Sequence, residues 1–514
     1  MDAADFCTTF TALAVRAAVG IAGYSGEHTP PMFGDYEAQR HWMEVTVNLP
    51  PTAWYVQGPD NDLQYWGLDY PPLSAHASWL VGKIARHLHP ELVALNASRG
   101  FESPATRAFM RNSVLALDAT VFIPAVLAFV AASGVPHGPQ RIALLLQLVM
   151  VPALVLIDHG HFQYNCVSLG LVMWAMVAAL RGRPIGCSVA FSLALNFKQM
   201  CLYLAPAFFC YLLAGCLRKP NAVAKIWAVG QLGVTVILTF AMCWAPFLQS
   251  PEDALAVLRR VFPVERHLYE DKVANLWCTL ALLPPLKLKA QLAISTLLRV
   301  SLGTTMLGLV PPCAMLLVRP SRVGFILCAT SCALAFFLCS FQVHEKHILL
   351  PLLPASLLAP RHPALFGWFA SVASFSLYPL LKRDGQSLPY FVGQAAYFAL
   401  SLHLEALVVQ QRPVPSASLA QLIRIAMGTS LLGMLTLHLL EATVLPPSRY
   451  PDLHTVVFAA YSCLHFVVAY VATVIYQARI ASTENAHTPQ DKAAPETHQS
   501  LAFLFNRASS IKEE

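Results

Sequence analysis

Fourteen apolar runs of near membrane-spanning length recur along this chain, and that recurrence leaves it few ways to fold. The runs are 6–24, 113–133, 142–157, 166–180, 185–197, 200–217, 226–247, 291–318, 323–340, 348–360, 364–380, 388–409, 418–440 and 454–476. A straight helix needs about 20 apolar residues to cross a bilayer core. Several runs fall short of that, and 185–217 and 348–380 also read as broken helices or re-entrant pairs. Only 12% of the 514 residues are charged, against 56% hydrophobic; soluble domains carry roughly 25% charged residues. Such a chain cannot cover a water-facing surface of its size, so lipid must cover much of it. The pattern predicts an all-α polytopic membrane protein with a single membrane domain over 1–480. Within it lies a long first loop at 25–112, and a polar, disordered tail follows over 481–514. Arg16 interrupts the first run and no small-residue cleavage site follows a basic start, so the first span reads as a retained anchor.

Charge sorting gives an orientation. With 25–112 outside the cytosol, Arg141, Arg181, Arg183, Arg218, Lys219, Lys225, Arg319, Arg322, Arg361 and Arg412 all fall on the cytosolic side, as the positive-inside rule requires. Lys382 and Arg383 fall on the other side, with no explanation in the sequence beyond burial. The net charge of +6 is thus topology information rather than a nucleic-acid footprint. The 13 cysteines are scattered through apolar runs without ligand spacing and read as small apolar residues. No zinc site and no disulfide framework are expected. No internal repeat is visible, which weighs against transporters built from inverted repeats.

The same sorting gathers the complex polar stretches, 34–71, 158–165, 248–277, 341–347 and 441–453, on the far side. The first holds Asp35, Glu37, Arg40, His41, Tyr65, Trp66 and Asp69. Aromatic rings stack on pyranose faces and carboxylates accept sugar hydroxyls; the alternative is an interfacial aromatic belt with solvated charges. The second, Asp158-His159-Gly160-His161-Phe162-Gln163-Tyr164-Asn165, suggests a metal by its Asp-His-x-His run, yet Gln163 and Tyr164 suit hydroxyl recognition better. A polar helix end is the plain alternative. The third and fourth place Arg266, Lys272, His344 and Lys346 beside the membrane interface. A lipid phosphate would sit at that depth and pair with such cations, although snorkelling side chains and local ion pairs explain them as well. The sequon Asn96-Ala97-Ser98 also falls in the first loop.

The runs GDYEAQRHWMEVT, DLQYWGLDYPPL, SRGFESP, LIDHGHFQYN, NFKQM, FPVERHLYEDKVANLWC, FQVHEKHILLPLLP and PPSRYPDL resemble the dolichyl-phosphate-glucose-dependent α-1,3-glucosyltransferases. They are most similar to the branch that adds the first glucose to Man9GlcNAc2-pyrophosphate-dolichol; the second-glucose branch is the alternative. The resemblance implies a GT-C fold of fourteen spans, a place in the endoplasmic reticulum membrane with the site facing the lumen, and inverting transfer from dolichyl phosphate glucose. It also implies a carboxylate base in the first loop. Asp35 occupies the matching position, with Glu37 and Asp69 as competing carboxylates. Arg266, Lys272, His344 and Lys346 are the candidates to receive charge on the departing phosphate. Tyr65, Trp66, Asp69, His161, Gln163, Tyr164 and Glu37 are candidates for the acceptor sugars. A monophosphate leaving group, less charged than a nucleotide diphosphate, predicts metal independence, with no cofactor beyond the lipid-linked donor. A sugar-lipid transporter, and an inactive assembly partner, are the rival readings.

Overall fold

The structure is a computed structural model that describes residues 3–262, 272–280, 293–409 and 417–483. Among them helix is the only regular element apart from an isolated bridge between Gly58 and Asn61. All fourteen apolar runs lie at least in part on helix. Fewer are long enough to cross alone. Among the described residues eight helices have the length and apolarity of a span, or nine when the bent pair Pro139–Val149 and Pro152–Phe162 counts as one. Asn165–Leu180 and Pro184–Phe197 are apolar but shorter. The suspected break within 185–217 is real: the helix stops at Phe197, Lys198 is extended, and a new helix begins at Gln199. Likewise Leu349–Ser356 and Pro363–Ser376 are separate short helices.

Burial sorts these helices into an inner and an outer set. Arg322–Cys339 is central, packed by Ile294–Val318, Leu453–Thr483, Ala205–Leu217 and Leu349–Ser356. Ala222–Trp244 is peripheral, with Val223, Ile226, Trp227, Ile237 and Met242 all exposed. Such a face is stable only against lipid, which makes the protein a multi-pass membrane protein.

The cysteine expectation needs one correction. Cys313, Cys328 and Cys332 are not scattered: their sulfurs lie 3.6, 3.8 and 4.0 Å apart where Ile294–Val318 crosses Arg322–Cys339. Only residues 319–321 join the two helices, and it is their crossing that gives Cys313 a shared face with Cys328 and Cys332.

Two π-helical turns shape the region under the long first loop. Asp118–Phe122 widens one helix and Leu156–Phe162 another. Such turns redirect side chains that a regular helix would carry elsewhere. Here they bring Asp118 against Arg16 at 2.5 Å and against His159 at 2.8 Å.

Candidate active site

The site begins with a backbone device. Phe33 (φ +57°) and Gly34 (φ +70°) are both left-handed, and they turn the chain abruptly into the helix Gly34–Asn48. A side chain at Gly34 would lie 2.8 Å from the Ser25 carbonyl, so only glycine fits that turn. Ser25 Oγ accepts from the Asp35 N–H at 3.1 Å. Asp35 is thereby fixed in the first helical turn, where the free N–H groups favour a negative charge.

Three side chains from two distant segments converge on one oxygen of this carboxylate. Gln163 Nε2 donates to Asp35 Oδ2 at 2.6 Å, His161 Nε2 lies 2.9 Å away, and Lys346 Nζ donates to the same atom. Among the described residues Asp35 Oδ1 has no partner. The side chains of Asp35 and Lys346 are 21% and 19% exposed, while His161 is 2% exposed, so the carboxylate and the ammonium are partly accessible and the ring lies behind them. Burial works to raise the Asp35 carboxyl, but the Lys346 ammonium and then His161 outweigh it and hold the group well below the usual carboxylate range. Burial likewise works to lower Lys346, and Asp35, followed by Glu345, holds it above the usual lysine range.

Gln163 carries a second message. Its Oε1 is buried with no hydrogen-bond partner among the described residues. A buried acceptor left empty costs free energy, and this one belongs to the same amide that donates to Asp35. A narrow cleft runs on from there, lined by Tyr70, Ser74, Gln163, Tyr164 and Lys198. A larger cavity of about 550 Å³ lies beyond Tyr24, lined by Glu27, His28, Glu102, Arg107 and Arg111 among others. Tyr24 stacks on Tyr36, the neighbour of Asp35, at 4.3 Å.

The other residues singled out from the sequence take different places. Glu37 does not share the opening with Asp35. It is buried, its oxygens 2.7 Å from the Arg40 Nε and Nη2, and it also accepts from the Tyr65 hydroxyl at 2.8 Å. Arg40 goes on to Glu44, Ser98 and the Leu92 carbonyl, which makes this group the fastening of the loop. Trp66, half-buried and left-handed (φ +51°), donates from Nε1 to the Met32 carbonyl at 2.5 Å, next to the turn that carries Asp35. Asp69 is half-buried, and its carbonyl accepts from Gln199. The Tyr164 hydroxyl is joined to Ser113 at 2.6 Å. His344 lies two residues from Lys346, its N–H donating to His347 Nδ1 at 3.2 Å. Lys272 is not in contact with Asp35; its ammonium pairs with Asp452 at 2.6 Å, both exposed. Arg266 lies outside the described residues.

The Asp-His-x-His run does not assemble a common ligand point. Asp158 accepts from Asn165 and the Cys166 N–H, His159 meets Asp118, and His161 meets Asp35 and Asp384. Two residues of the neighbourhood escaped the sequence reading. Lys198 is buried, donates to Asn165 Oδ1 at 2.5 Å and stands 4.9 Å above the Tyr70 ring. Its signal was a lysine closing an apolar helix. The other is Asp384, behind His161; its signal was the unexplained pair Lys382 and Arg383 just before it.

An ionised carboxylate with one oxygen anchored and one open, beside a lysine and a vacant amide acceptor, can take a proton from a hydroxyl while a cation stands ready for an anion. The comparisons agree with a sugar-transferring scaffold. The model of the ALG6, ALG8 glycosyltransferase family matches residues 12–472. The dolichyl pyrophosphate Man9GlcNAc2 alpha-1,3-glucosyltransferase of Gallus gallus is 43% identical over 477 residues, covering 90% of this chain and 94% of that one. The protein of the same name from Rattus norvegicus is 43% identical, covering 88% and 92%. A probable one from Arabidopsis thaliana is 43% identical, covering 87% and 84%. A match that spans every helix around Asp35, and nearly the whole length of the relatives, leaves one conclusion: the chain belongs to the ALG6, ALG8 glycosyltransferase family.

Proposed function

We propose that the protein transfers glucose from dolichyl phosphate glucose to a terminal mannose of Man9GlcNAc2-pyrophosphate-dolichol, forming an α-1,3 bond with inversion. The observation that carries this reading is the Asp35 carboxylate, held through Oδ2 by Lys346, His161 and Gln163 and open at Oδ1. The near full-length likeness to proteins named for that acceptor supports the choice of substrate.

In a single displacement the mannose 3-hydroxyl oxygen attacks the anomeric carbon of the donor. The bond from that carbon to the phosphate oxygen breaks, and its electron pair stays on dolichyl phosphate. The hydroxyl proton passes to Asp35 Oδ1. A base placed this way contributes typically 10²–10⁴-fold. The transition state has oxocarbenium character, and negative charge grows on the departing phosphate. Lys346, with His344 near it in the same turn, is the cation we assign to that charge. Gln163 Oε1 receives an acceptor hydroxyl, and Tyr65, Trp66 and Asp69 line the route of the acceptor sugars. The site faces the lumen of the endoplasmic reticulum in this reading, which the sorting of basic loops to the opposite side supports.

The reading is tested by supplying the purified protein with dolichyl phosphate glucose and the nine-mannose acceptor. Formation of a monoglucosylated product supports it. Transfer only to an acceptor already carrying one glucose would reassign the protein to the second-glucose step.

A further inference from the structure

Asp384 has no role in the reaction as described, yet it is the second carboxylate of the site. It follows the short helix Tyr378–Arg383, is buried, and presents Oδ2 to His161 Nδ1 at 2.5 Å. The other ring nitrogen, Nε2, faces Asp35 Oδ2 at 2.9 Å. An ionised carboxylate only accepts hydrogen bonds, so a ring clamped between two of them satisfies both when each nitrogen carries a hydrogen. The titratable groups that the described residues set against His161 are Asp35, Asp384 and Lys346, the last 3.3 Å from Nε2. Two carboxylates thus stand against the ammonium and the ring, and without Asp384 a single aspartate would face both cations.

The seat of Asp384 is built for the purpose. Gln386 Nε2 ties the following turn to the Gly23 carbonyl at 2.5 Å, and Lys382 pairs with Glu441. A side chain at Gly23 would lie 2.5 Å from the Asp384 carbonyl, so the loop that leads to Asp35 packs directly on this turn. The cations that charge sorting could not place, Lys382 and Arg383, belong to the segment that delivers Asp384.

We infer that Asp384 is a positioning residue that keeps both His161 nitrogens as donors, so that Nε2–H holds Asp35 Oδ2 and leaves Oδ1 for the acceptor hydroxyl. The inference rests on the reading of Asp35 as the base. With a neutral residue in its place, His161 returns to one N–H, and Asp35 loses a fixed donor and turns.

The test compares Asp384→Asn, His161→Gln and the double variant with wild type and Asp35→Asn, using the purified full chain. The expected result for Asp384→Asn is a loss of kcat of about 10–100-fold, the size seen when the partner that orients a metal-ligating histidine is removed. KM for both substrates stays within about threefold, and the acid limb of kcat/KM moves to higher pH. His161→Gln gives the same loss, and the double variant is no slower than the slower single one, because the two residues act as one unit. Wild-type kcat and pH profile in Asp384→Asn would overturn the inference, as would losses that multiply in the double variant. Should Asp384→Asn not fold, an unmoved acid limb in His161→Gln would overturn it equally. Activity surviving in Asp35→Asn would instead remove the base reading, so the two failures are distinguishable.

Discussion

Lys346 and Asp35 lie 311 residues apart in sequence and share a hydrogen bond at Asp35 Oδ2. That bond makes the carboxylate a weaker base than a solvated aspartate, because the ammonium favours its ionised form. Replacing Lys346 with Met removes the dominant opposing charge, so the Asp35 pKa rises. Asp35 must be ionised to accept a proton, and the acid limb of kcat/KM therefore moves to higher pH. Donor binding weakens in the same variant, by tenfold or more if a charge-assisted contact of roughly 1.5–3 kcal/mol is lost. A pH–rate series with varied donor checks both; an unmoved limb would separate Lys346 from Asp35.

Arg40 is fully buried and satisfied by Glu37, Glu44, Ser98 and the Leu92 carbonyl. Breaking a buried pair by removing one partner costs about 3–5 kcal/mol. Arg40→Met is expected to lower the melting temperature in detergent strongly, and Glu37→Gln to lower it as well while leaving acceptor KM nearly unchanged. A Glu37→Gln protein of normal stability with a raised acceptor KM would return Glu37 to the sugar site.

Glu44 gives the same network a pH signature. Burial works to raise its carboxyl, but the bond to His41 and the Arg40 charge bring it down to about 2, from an ordinary 4.5. A lowered folded-state value stabilises the fold above the unfolded pKa, and that stabilisation is lost as pH falls toward the folded value. The gain is on the order of 3 kcal/mol near neutral pH. Melting temperature should hold above pH 5 and fall between about pH 4.5 and 2, and Glu44→Gln should flatten that slope. Parallel curves for the two proteins would contradict the assignment.

Transfer should survive EDTA. The groups around Asp35 Oδ2 are a lysine, a histidine and an amide, and Lys346 is the cation proposed above for the charge on the leaving monophosphate. Activity abolished by EDTA and restored by manganese would contradict this.

How much of this was legible beforehand follows from the range of each interaction. Apolar runs announce themselves locally, so every one of them could be placed on helix, whereas their lengths depended on breaks at Lys198 and at 357–362 that hydropathy does not register. Asp35, His161, Gln163 and Lys346 stood out by residue type and by their family-like motifs. Asp35 was preferred over Glu37 only through the resemblance, since by residue type the two carboxylates compete. Two residues apart on a helix they point to different faces, and one is partly exposed beside Lys346 while the other is buried against Arg40. Asp384 could not be paired with His161 from sequence, because 223 residues and several helices intervene. Cys328 and Cys332 share a face of one helix by their spacing, whereas the crossing that brings Cys313 to them was not legible.

The most direct measurement is glucose transfer by wild type and Asp35→Asn with dolichyl phosphate glucose and the nine-mannose acceptor, each protein verified as folded. The account predicts a monoglucosylated product from wild type and a rate at least about 10²-fold lower from Asp35→Asn, with donor binding retained. Equal rates from the two proteins would contradict it.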